Sequence, residues 1–320
     1  MKQEKPEIIV ITGPTGTGKT ALSILLAKTI GGEVVGADSM QIYKYMDIGT
    51  AKPDEKEMDG VRHHMIDVVS PFEGYSVSRY VDEASKCVDD IIKRGKTPIL
   101  VGGTGLYIDS LLSGRNFAQG GEEIIGDREK LNAKYDALGG GEMLRLLSEF
   151  DPESAVKLHA NDKKRIVRAF EVYEVTGKTI SQHNLETKSI PPRYNAVKLA
   201  LSFHDRELMY DRINKRVDIM LEMGLLEEVE NLLKMGLTKE HTAMQAIGYK
   251  ELTGYFSGEG TLEDALEKIK MESRRYAKRQ LSWLRRDDTV KWILRDKTPD
   301  FPNELPVSTE FLERYGIIQS

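Results

Sequence analysis

One segment near the start of the chain constrains its fold most strongly. Residues 13–20 read GPTGTGKT and match the pattern G-x-x-x-x-G-K-[ST]. The segment follows the apolar run Ile8–Ile11 and precedes Ala21–Leu26, where leucines recur at helical spacing. A glycine-rich loop between a strand and a helix points backbone N–H groups and the positive end of the helix dipole at an anion. The sequence therefore predicts an α/β protein that binds a phosphorylated ligand.

The residues of this loop have distinct expected roles. Its glycines let the backbone curl so that successive N–H groups point inward, Lys19 adds a mobile cation, and Thr20 can hold a Mg²⁺ ion that bridges two phosphates. The predicted phosphate-binding residues are Gly13, Pro14, Thr15, Gly16, Thr17, Gly18, Lys19 and Thr20.

Length and composition indicate an ordinary soluble protein. With 320 residues, the chain is long enough for two domains or for one domain with a large insertion. Its single cysteine, Cys87, excludes disulfides within the chain and cysteine-rich zinc sites, and it fits a reducing cytoplasm. No apolar run reaches the ~18 residues of a membrane span, and the polar start lacks the apolar core of a signal peptide. We therefore expect a cytoplasmic protein without membrane contact, and the expected oligomeric state is a monomer.

Strands and helices alternate along the first hundred residues. The predicted strands are Ile8–Ile11, Glu33–Gly36, Met65–Val69 and Pro98–Val101, and the predicted helices are Lys19–Ile30 and Ser76–Arg94. This alternation predicts a P-loop-type parallel sheet core flanked by helices. Residues 116–194 are charged and mainly helical, which predicts an inserted all-helical subdomain between the two parts of the core, 1–115 and 195–320. In the second part, a strand is predicted at Ala196–Phe203 and helices are predicted at Arg206–Met223, Leu225–Met235 and Leu262–Arg286.

Asp38 comes directly after the second predicted strand. In open α/β sheets the carboxyl ends of the strands face the ligand crevice, so this carboxylate should point at the phosphate site. Two interpretations remain open. Asp38 is either a general base or Mg²⁺-linked carboxylate, or it is the N-cap of a helix.

Residues 102–107, GGTGLY, form a second glycine-rich turn after a predicted strand, in which Thr104 offers a hydroxyl to a ligand. ATPases of this class place an aspartate at the end of such a strand, and its absence weakens an ATP-hydrolysis function, although Asp67 could substitute for it. His63 and His64 are interpreted as hydrogen-bonded structural histidines, because they lack cysteine partners and an H-x-x-x-H spacing.

Two basic helical segments contrast with the net charge of −5. Their basic residues are Lys163, Lys164, Arg165 and Arg168 in the first, and Lys268, Lys270, Arg274, Arg275, Lys278, Arg279, Arg285 and Arg286 in the second. The second segment also contains Tyr276 and Trp283. Cations that meet phosphates, beside rings that meet unstacked bases, are suited to RNA, whereas solvated helix faces are the alternative interpretation.

Several strings together resemble the tRNA dimethylallyltransferase (tRNA isopentenyltransferase) family, in its bacterial type without a C-terminal zinc finger. They are GPTGTGKT, ADSMQIY, DIGTAKP, HHMIDV, GGTGLY, NDKKRIVRAFEVYEVTGK, AMQAIGYKE and RRYAKRQLSWLR, and their order and spread cover nearly the whole chain. Members of this family transfer a dimethylallyl group from its diphosphate to N6 of the adenosine 3′ to the anticodon. The resemblance implies a prenyl diphosphate in loop 13–20, Mg²⁺ as cofactor, and the anticodon stem-loop of tRNA as partner.

The resemblance also implies roles for individual residues. Asp38 would be the general base, Thr104 would contact the substrate base, and Lys19 with Arg216 or Arg212 would stabilise the departing diphosphate. The implied tRNA contacts are Asp38, Ser39, Met40, Gln41, Thr104, Arg128, Lys164, Arg165, Ile166, Val167, Arg168, Gln245, Gly248, Lys250, Arg275 and Arg279. The adenine would leave its stack and enter a channel that leads to the diphosphate.

Three other functions remain possible at this point. A P-loop small-molecule kinase would use Asp38 to hold an acceptor hydroxyl, a related prenyltransferase would act on free adenine nucleotides, and an RNA-binding P-loop protein would have no transferase activity. A polar acceptor site would favour the kinase. A tunnel running from Lys19 past Asp38 and open at both ends would favour extrusion of an RNA base.

Overall fold

The computed structural model describes residues 5–113, 125–188, 190–295, 309–310 and 312–314. The chain divides into two compact units. The first unit comprises Met1–Leu112 and Tyr194–Ser320, and the second comprises Ser113–Arg193. The first contains the sheet and the phosphate-binding loop, and the described part of the second consists of helices and their connections.

Among the described residues, six parallel strands form the sheet of the first unit. They are β1 (Glu7–Thr12), β2 (Glu33–Gly36), β3 (His63–His64), β4 (Pro98–Val101), β5 (Asn195–Phe203) and β6 (Lys291–Arg295), in the order β3-β2-β4-β1-β5-β6. Strand β1 lies between β4 and β5, with Val10 opposite Leu100 on one side and Lys198 on the other. The predicted α/β fold with a parallel sheet is confirmed.

Helices follow most strands and form the second unit. In chain order they are α1 (Lys19–Ile30), α2 (Glu55–Met58), α3 (Val77–Lys93), α4 (Gly105–Leu112), α5 (Ile125–Phe150), α6 (Pro152–Lys157), α7 (Lys163–Thr176), α8 (Ile180–Lys188), α9 (Arg206–Glu222), α10 (Leu225–Lys234), α11 (Tyr249–Phe256) and α12 (Leu262–Leu284). A short 3-10 helix lies at Ala243–Gln245. Helix α12 begins at a capping box in which the Thr261 hydroxyl accepts the Asp264 N–H.

The sheet is held by apolar side chains on both of its faces. Ile8 and Val10 pack into one core with residues of α3 and α4, whereas Ile9 and Ile11 pack into another with residues of α1. All four side chains are fully buried. A parallel strand covered on both faces reads as a continuous apolar run, which explains why β1 was visible in the sequence.

The second unit has a hydrophobic core of its own. Its buried residues are Leu131, Met143, Leu147, Ile166, Val167, Ala169 and Phe170. The Phe150 ring meets the Phe170 ring edge to face at 5.2 Å. Helix α5 is interrupted at Gly139, where φ is 76°.

Two strands differ from the sequence-based prediction. The prediction of a strand at Met65–Val69 was wrong, because Met65 and Asp67 adopt positive φ of 61° and 55°, which extended backbone does not allow. The third strand is instead β3, and pairing returns only as a single bridge between Tyr43 and Val69. Strand β6 was not predicted; it pairs along one side with β5, and only two of its five residues are buried.

Both histidines of β3 are hydrogen-bonded, as predicted. The Nδ1 atom of His63 lies 2.8 Å from the Val61 carbonyl oxygen, and Nε2 of His64 lies 2.8 Å from a carboxylate oxygen of Glu33. Glu33 is buried and also accepts hydrogen bonds from Arg94 and Lys96. These hydrogen bonds, Arg94 first, hold the pKa of Glu33 far below its usual range against the effect of burial. This cluster lies at the amino end of β2, and the phosphate-binding loop follows the carboxyl end of β1.

Candidate active site

The phosphate-binding loop, residues 13–18, connects β1 to α1 in a tight turn. Gly16 and Gly18 adopt left-handed φ of 79° and 83°, which would strain any other residue. Gly13 is needed for a second reason, since a Cβ atom there would lie 2.3 Å from the carbonyl oxygen of Leu201 in β5. The loop ends at the N-terminus of α1, where the helix dipole favours an anion.

Lys19 is half-buried at the start of α1 and is held inside the loop. Its Nζ donates a hydrogen bond to the Pro14 carbonyl at 2.8 Å. Burial lowers the pKa of Lys19 to about 8, and the positive charge of Arg216 adds to this effect, while Asp38 opposes it. A cation with a pKa well below that of an ordinary lysine thus lies directly after the loop.

Thr20 can bind a magnesium ion, as predicted, only if a bound substrate supplies further ligands to the ion. It occupies the first turn of α1, where its backbone carbonyl accepts the Ser23 hydroxyl at 2.7 Å. In the described part of the chain, no group of three or more histidine, cysteine, aspartate or glutamate side chains could hold a metal ion. Mg²⁺ commonly keeps several waters and binds substrate phosphates, so one protein hydroxyl is compatible with it.

Asp38 lies two residues beyond β2 and is half-buried. Its Oδ1 accepts the backbone N–H of Met40 at 2.8 Å and, more weakly, that of Gln41 at 3.4 Å. Among the described residues, no hydrogen bond reaches the second oxygen, Oδ2. The capping interpretation therefore accounts for one carboxylate oxygen and leaves the other for a ligand. The charge of Asp38 also raises the pKa values of Lys19 and Arg216, so it acts on the phosphate-binding loop.

Thr104 lies beside Asp38 because the chain after β4 touches the chain after β2. The Ser39 N–H donates to Thr104 Oγ1 at 3.0 Å, and the Thr104 N–H donates to the Ala37 carbonyl at 3.1 Å. This close approach depends on Gly102, where a Cβ atom would lie 2.1 Å from the Ala37 oxygen. Asp38 and Thr104 thus belong to one hydrogen-bonded group at the carboxyl ends of β2 and β4.

Arg216 extends from α9 toward the same group and is half-buried. Burial lowers the pKa of its guanidinium, and the charges of Asp38 and Glu57 oppose that shift. Among the described residues it makes no ion pair within 4 Å, so its charge remains available to an anionic ligand. Arg212, the alternative candidate one turn earlier, instead donates from Nε to the Gly16 carbonyl at 3.2 Å.

Sequence reasoning missed the side chains that hold the phosphate-binding loop from the C-terminal half of the chain. The Thr15 N–H donates to Gln280 Oε1 at 3.1 Å, and Arg295 of β6 donates to the Thr17 carbonyl. Both Gln280 and Arg295 are buried. Gln280 belongs to the string RRYAKRQLSWLR, which offered a signal, whereas Arg295 ends β6, a strand that was not predicted.

Tyr276 of α12 lies next to the Asp38–Thr104 group. Burial raises the pKa of its phenol to about 12, and Asp38 adds to the rise, while hydrogen bonding with Thr104 and Gln280 opposes it. The Arg279 guanidinium carbon lies 5.7 Å from the centre of the Tyr276 ring. Tyr276 was read from the sequence only as an aromatic residue among basic ones, and the structure connects it with the candidate active site.

The other residues predicted to contact RNA in the first unit are spread over several elements. Arg275 and Arg279 are exposed on α12, and Arg275 pairs with Glu272 at 2.6 Å.

The remaining predicted contacts of this unit lie around the 3-10 helix and after β2. Gln245 is exposed in the 3-10 helix. Gly248 is buried before α11 with φ of 98°, and Lys250 lies 3.3 Å from Glu251. Ser39 and Met40 are half-buried, and Gln41 Nε2 donates to the carbonyls of Thr50 and Ala51, both at 3.0 Å.

The second unit carries the remaining predicted contacts on α5 and α7. Lys164 and Arg165 are exposed at the start of α7. Arg128 and Arg168 both face the buried carboxylate of Glu171, with N–O distances of 4.0 Å and 2.7 Å. Glu171 was not singled out from the sequence.

Two predicted contacts in α7 need correction. Ile166 and Val167 are fully buried in the core of the second unit, so their side chains are not available to RNA. Within a helix, the backbone N–H of Ile166 is also engaged, with the Asp162 carbonyl at 3.0 Å. Their place within a matching string reflects the packing that positions the basic residues beside them.

Comparisons with known proteins identify relatives along almost the whole chain. A family model described as IPP transferase matches residues 41–287. The tRNA dimethylallyltransferase of Acetivibrio thermocellus is 47% identical over 313 residues, which are 97% of this chain and 98% of the relative. Among the described residues, no helix is long and apolar enough to cross a membrane.

Solved structures agree with the sequence relatives. A tRNA isopentenylpyrophosphate transferase from Bacillus halodurans superposes with a TM-score of 0.72 at 39% identity, covering 97% of this chain and 96% of that one. A eukaryotic dimethylallyltransferase acting on tRNA superposes with a TM-score of 0.81 at 30% identity, covering 97% and 80%. The chain belongs to the IPP transferase family, whose curated relatives are tRNA dimethylallyltransferases.

Proposed function

We propose that this protein transfers the dimethylallyl group of dimethylallyl diphosphate to the exocyclic N6 of the adenosine 3′ to the anticodon in tRNA, tRNA position 37. One observation carries the proposal within the site. A carboxylate with one oxygen not engaged by the described residues acts electrostatically on two cations beside the phosphate-binding loop, Lys19 at the start of α1 and Arg216 of α9. The carboxylate can take a proton from an amine nucleophile, while the two cations bind an anionic leaving group.

The chemistry assigned to Asp38 is that of a general base. The N6 atom attacks C1 of the dimethylallyl group, the C1–O bond breaks, and the diphosphate leaves with the bonding electrons. The N6 proton passes to the Asp38 carboxylate, which makes a weakly nucleophilic amine a better acceptor. Thr104, fixed by the Ser39 N–H, would contact the adenine and orient it.

The leaving group is stabilised by the segment Gly13 to Thr20, which comprises the phosphate-binding loop and the first two residues of α1. Its backbone N–H groups, Lys19 and Arg216 face the charge that develops on the diphosphate as the bond breaks. Thr20 would hold a Mg²⁺ ion, which would supply further charge neutralisation.

RNA binding is proposed for the basic surfaces of both units. Exposed arginines on α12 and the basic start of α7 would contact tRNA phosphates, which supply affinity without reading sequence. The target adenine would be unstacked to reach Asp38, at a cost of a few kcal/mol that the RNA contacts offset.

The small-molecule kinase is not supported by the family relationship, because relatives that cover nearly the whole chain are named for transfer to tRNA. A cytoplasmic location, which the single cysteine fits, and a monomeric state are also part of the proposal.

A direct assay tests the proposed reaction. The protein is incubated with unmodified tRNA, Mg²⁺ and dimethylallyl diphosphate, and the digested nucleosides are analysed by mass spectrometry. We expect N6-isopentenyladenosine, and none in a tRNA whose adenosine 3′ to the anticodon is replaced by guanosine. Absence of this nucleoside with the unmodified tRNA, or release of ADP from ATP with a small hydroxyl acceptor, would overturn the proposal.

A further inference from the structure

Gln280 occupies a place between the two loops of the candidate active site. It lies on α12 and is 6% exposed. Its Oε1 accepts the Thr15 N–H of the phosphate-binding loop at 3.1 Å, and its Nε2 donates to the Gly103 carbonyl of the second glycine-rich loop at 3.0 Å. The Gln280 side chain therefore links the phosphate-binding loop to the loop that carries Thr104.

Gln280 packs closely against the second glycine-rich loop. A Cβ atom on Gly103 would lie 2.1 Å from Gln280 Nε2, so only glycine permits this contact. One turn later on α12, the Trp283 ring would lie 2.4 Å from a Cβ atom on Gly105, and Trp283 Nε1 donates to Asp109 at 2.8 Å. Two successive turns of α12 are thus fixed, one against the second loop and the next against α4, and Gln280 is held where it can reach Thr15.

The amide group is chemically specific at this position. It must accept from one backbone N–H and donate to one backbone carbonyl, which an amide does with its two different ends. An ionised carboxylate would accept from Thr15 but would repel the Gly103 carbonyl, and a thioether of similar length would make neither strong hydrogen bond.

The second loop continues the connection toward the proposed base. Thr104, adjacent to Gly103, accepts the Ser39 N–H and donates to the Ala37 carbonyl, on either side of Asp38. Contacts therefore run from Thr15 through Gln280 and Thr104 to the residues that flank Asp38.

We propose that Gln280 is a positioning residue, which sets the separation between the departing diphosphate and the adenine N6 by holding Thr15 and the Thr104 loop together. This inference depends on the proposed function. Because transfer requires the reacting atoms to lie in line and close together, a displacement on the order of 1 Å is expected to slow the chemical step by up to about a hundredfold.

The first test uses Gln280→Met, with Ser282→Ala on the exposed side of α12 as the matched control. Single-turnover transfer to tRNA is measured at saturating dimethylallyl diphosphate, with the affinity for each substrate measured separately. We expect the rate constant to fall at least about tenfold in Gln280→Met, with both affinities changed less than about threefold. An unchanged rate constant would overturn the proposal, and so would a loss explained entirely by weaker binding or unfolding.

The second test uses Gln280→Glu and its pH profile. A protonated carboxyl group both accepts and donates, so it restores the two contacts that the ionised form cannot make. We expect the ratio of the variant rate constant to the wild-type rate constant to rise as the pH falls from 8 to 6. A ratio that does not depend on pH would overturn the proposal. Wild-type protein that fails to modify tRNA would overturn the proposed function itself, whereas active wild type with full rates in the Gln280 variants overturns this inference alone.

Discussion

At the level of single residues, Asp38 combines a structural and a proposed chemical role on one carboxylate. Its Oδ1 accepts the Met40 N–H and thereby fixes the turn after β2. An asparagine keeps an oxygen that can accept this N–H but cannot take a proton from N6. The two interpretations of Asp38 therefore predict different results for Asp38→Asn.

We expect Asp38→Asn to lower kcat by a factor of about 10² to 10⁴, because general-base catalysis is lost while the turn is retained. Affinity for tRNA should stay within a few-fold, since the substitution removes no contact to phosphate. Rapid-quench kinetics and filter binding measure the two quantities. Wild-type turnover in Asp38→Asn would restrict Asp38 to the capping role, and Asp38→Ala, which loses both functions, serves as the comparison.

The lowered pKa of Lys19 predicts that capture of dimethylallyl diphosphate depends on pH. Its pKa is lowered to about 8 by burial and by Arg216, so the ammonium form is present below pH 8 and is lost as the pH rises above it. We expect kcat/KM for dimethylallyl diphosphate to be level below this pKa and to fall by about tenfold per pH unit above it. Lys19→Arg should extend the level region to higher pH, because arginine does not titrate there. If kcat/KM falls above pH 8 in Lys19→Arg just as it does in the wild type, the titrating group is not Lys19.

At the level of helices, α12 joins the candidate active site to an exposed basic face. Arg275 and Arg279 are exposed, whereas Gln280 and Leu284 of the same helix are buried. We expect Arg275→Ala and Arg279→Ala each to weaken tRNA affinity and to reduce the slope of log K against log salt by about one.

The control for these variants is Lys234→Ala on α10, which removes an exposed positive charge paired with Glu230. Affinity for dimethylallyl diphosphate should not change in any of the three. If the salt slopes of the arginine variants match that of the control, the basic face of α12 does not contact tRNA.

Within the second unit, Glu171 is expected to position two arginines for RNA. Its buried carboxylate lies 2.7 Å from Arg168 and 4.0 Å from Arg128. Glu171→Gln removes the charge that orients both guanidinium groups, so we expect several-fold weaker tRNA binding with unchanged affinity for dimethylallyl diphosphate. Glu149→Gln, which alters an exposed pair with Arg145, is the control. Equal tRNA affinity in the two variants would contradict this role.

The elements that could be predicted are those with a strong local pattern. Helix α1 and strand β4 have the predicted bounds, because an apolar run or leucines at helical spacing lie beside glycine or proline. The turn after β3 could not be predicted, since nothing in the sequence shows that Met65 and Asp67 take positive φ. Strand β6 escaped because it pairs on one side only and exposes alternate residues.

The candidate site likewise contains residues that local sequence patterns predict and residues that they do not. The motif around Lys19 and the carboxylate after β2 are local patterns that place chemistry at strand ends. The contacts of Gln280 and Arg295 with the loop join residues 265 and 278 positions apart, and no local pattern encodes such distances. Likewise, the burial of Ile166 and Val167 follows from packing between helices of the second unit.

At the level of the whole molecule, ligand binding should stabilise the entire first unit. The phosphate-binding loop contacts β5, β6, α9 and α12, so a bound anion strengthens a network that includes most of the sheet. At a hundredfold excess over Kd, a ligand specific for the folded state adds about 2.7 kcal/mol to the free energy of unfolding. We expect dimethylallyl diphosphate with Mg²⁺ to raise Tm by several degrees in scanning calorimetry, and no rise in Lys19→Ala. A Tm rise of equal size in that variant would show that the anion binds elsewhere.

The distance along the chain between the phosphate-binding loop and its supports affects synthesis of the protein. Strand β1 pairs with β5, almost two hundred positions later, and the loop after it depends on Gln280 and Arg295. While the ribosome is still translating the middle of the message, the emerging polypeptide contains the glycine-rich motif but lacks the side chains that shape it. The proposed capture of the prenyl donor is therefore expected only after residue 295 has emerged, so that a product terminated before it should not sequester this metabolite.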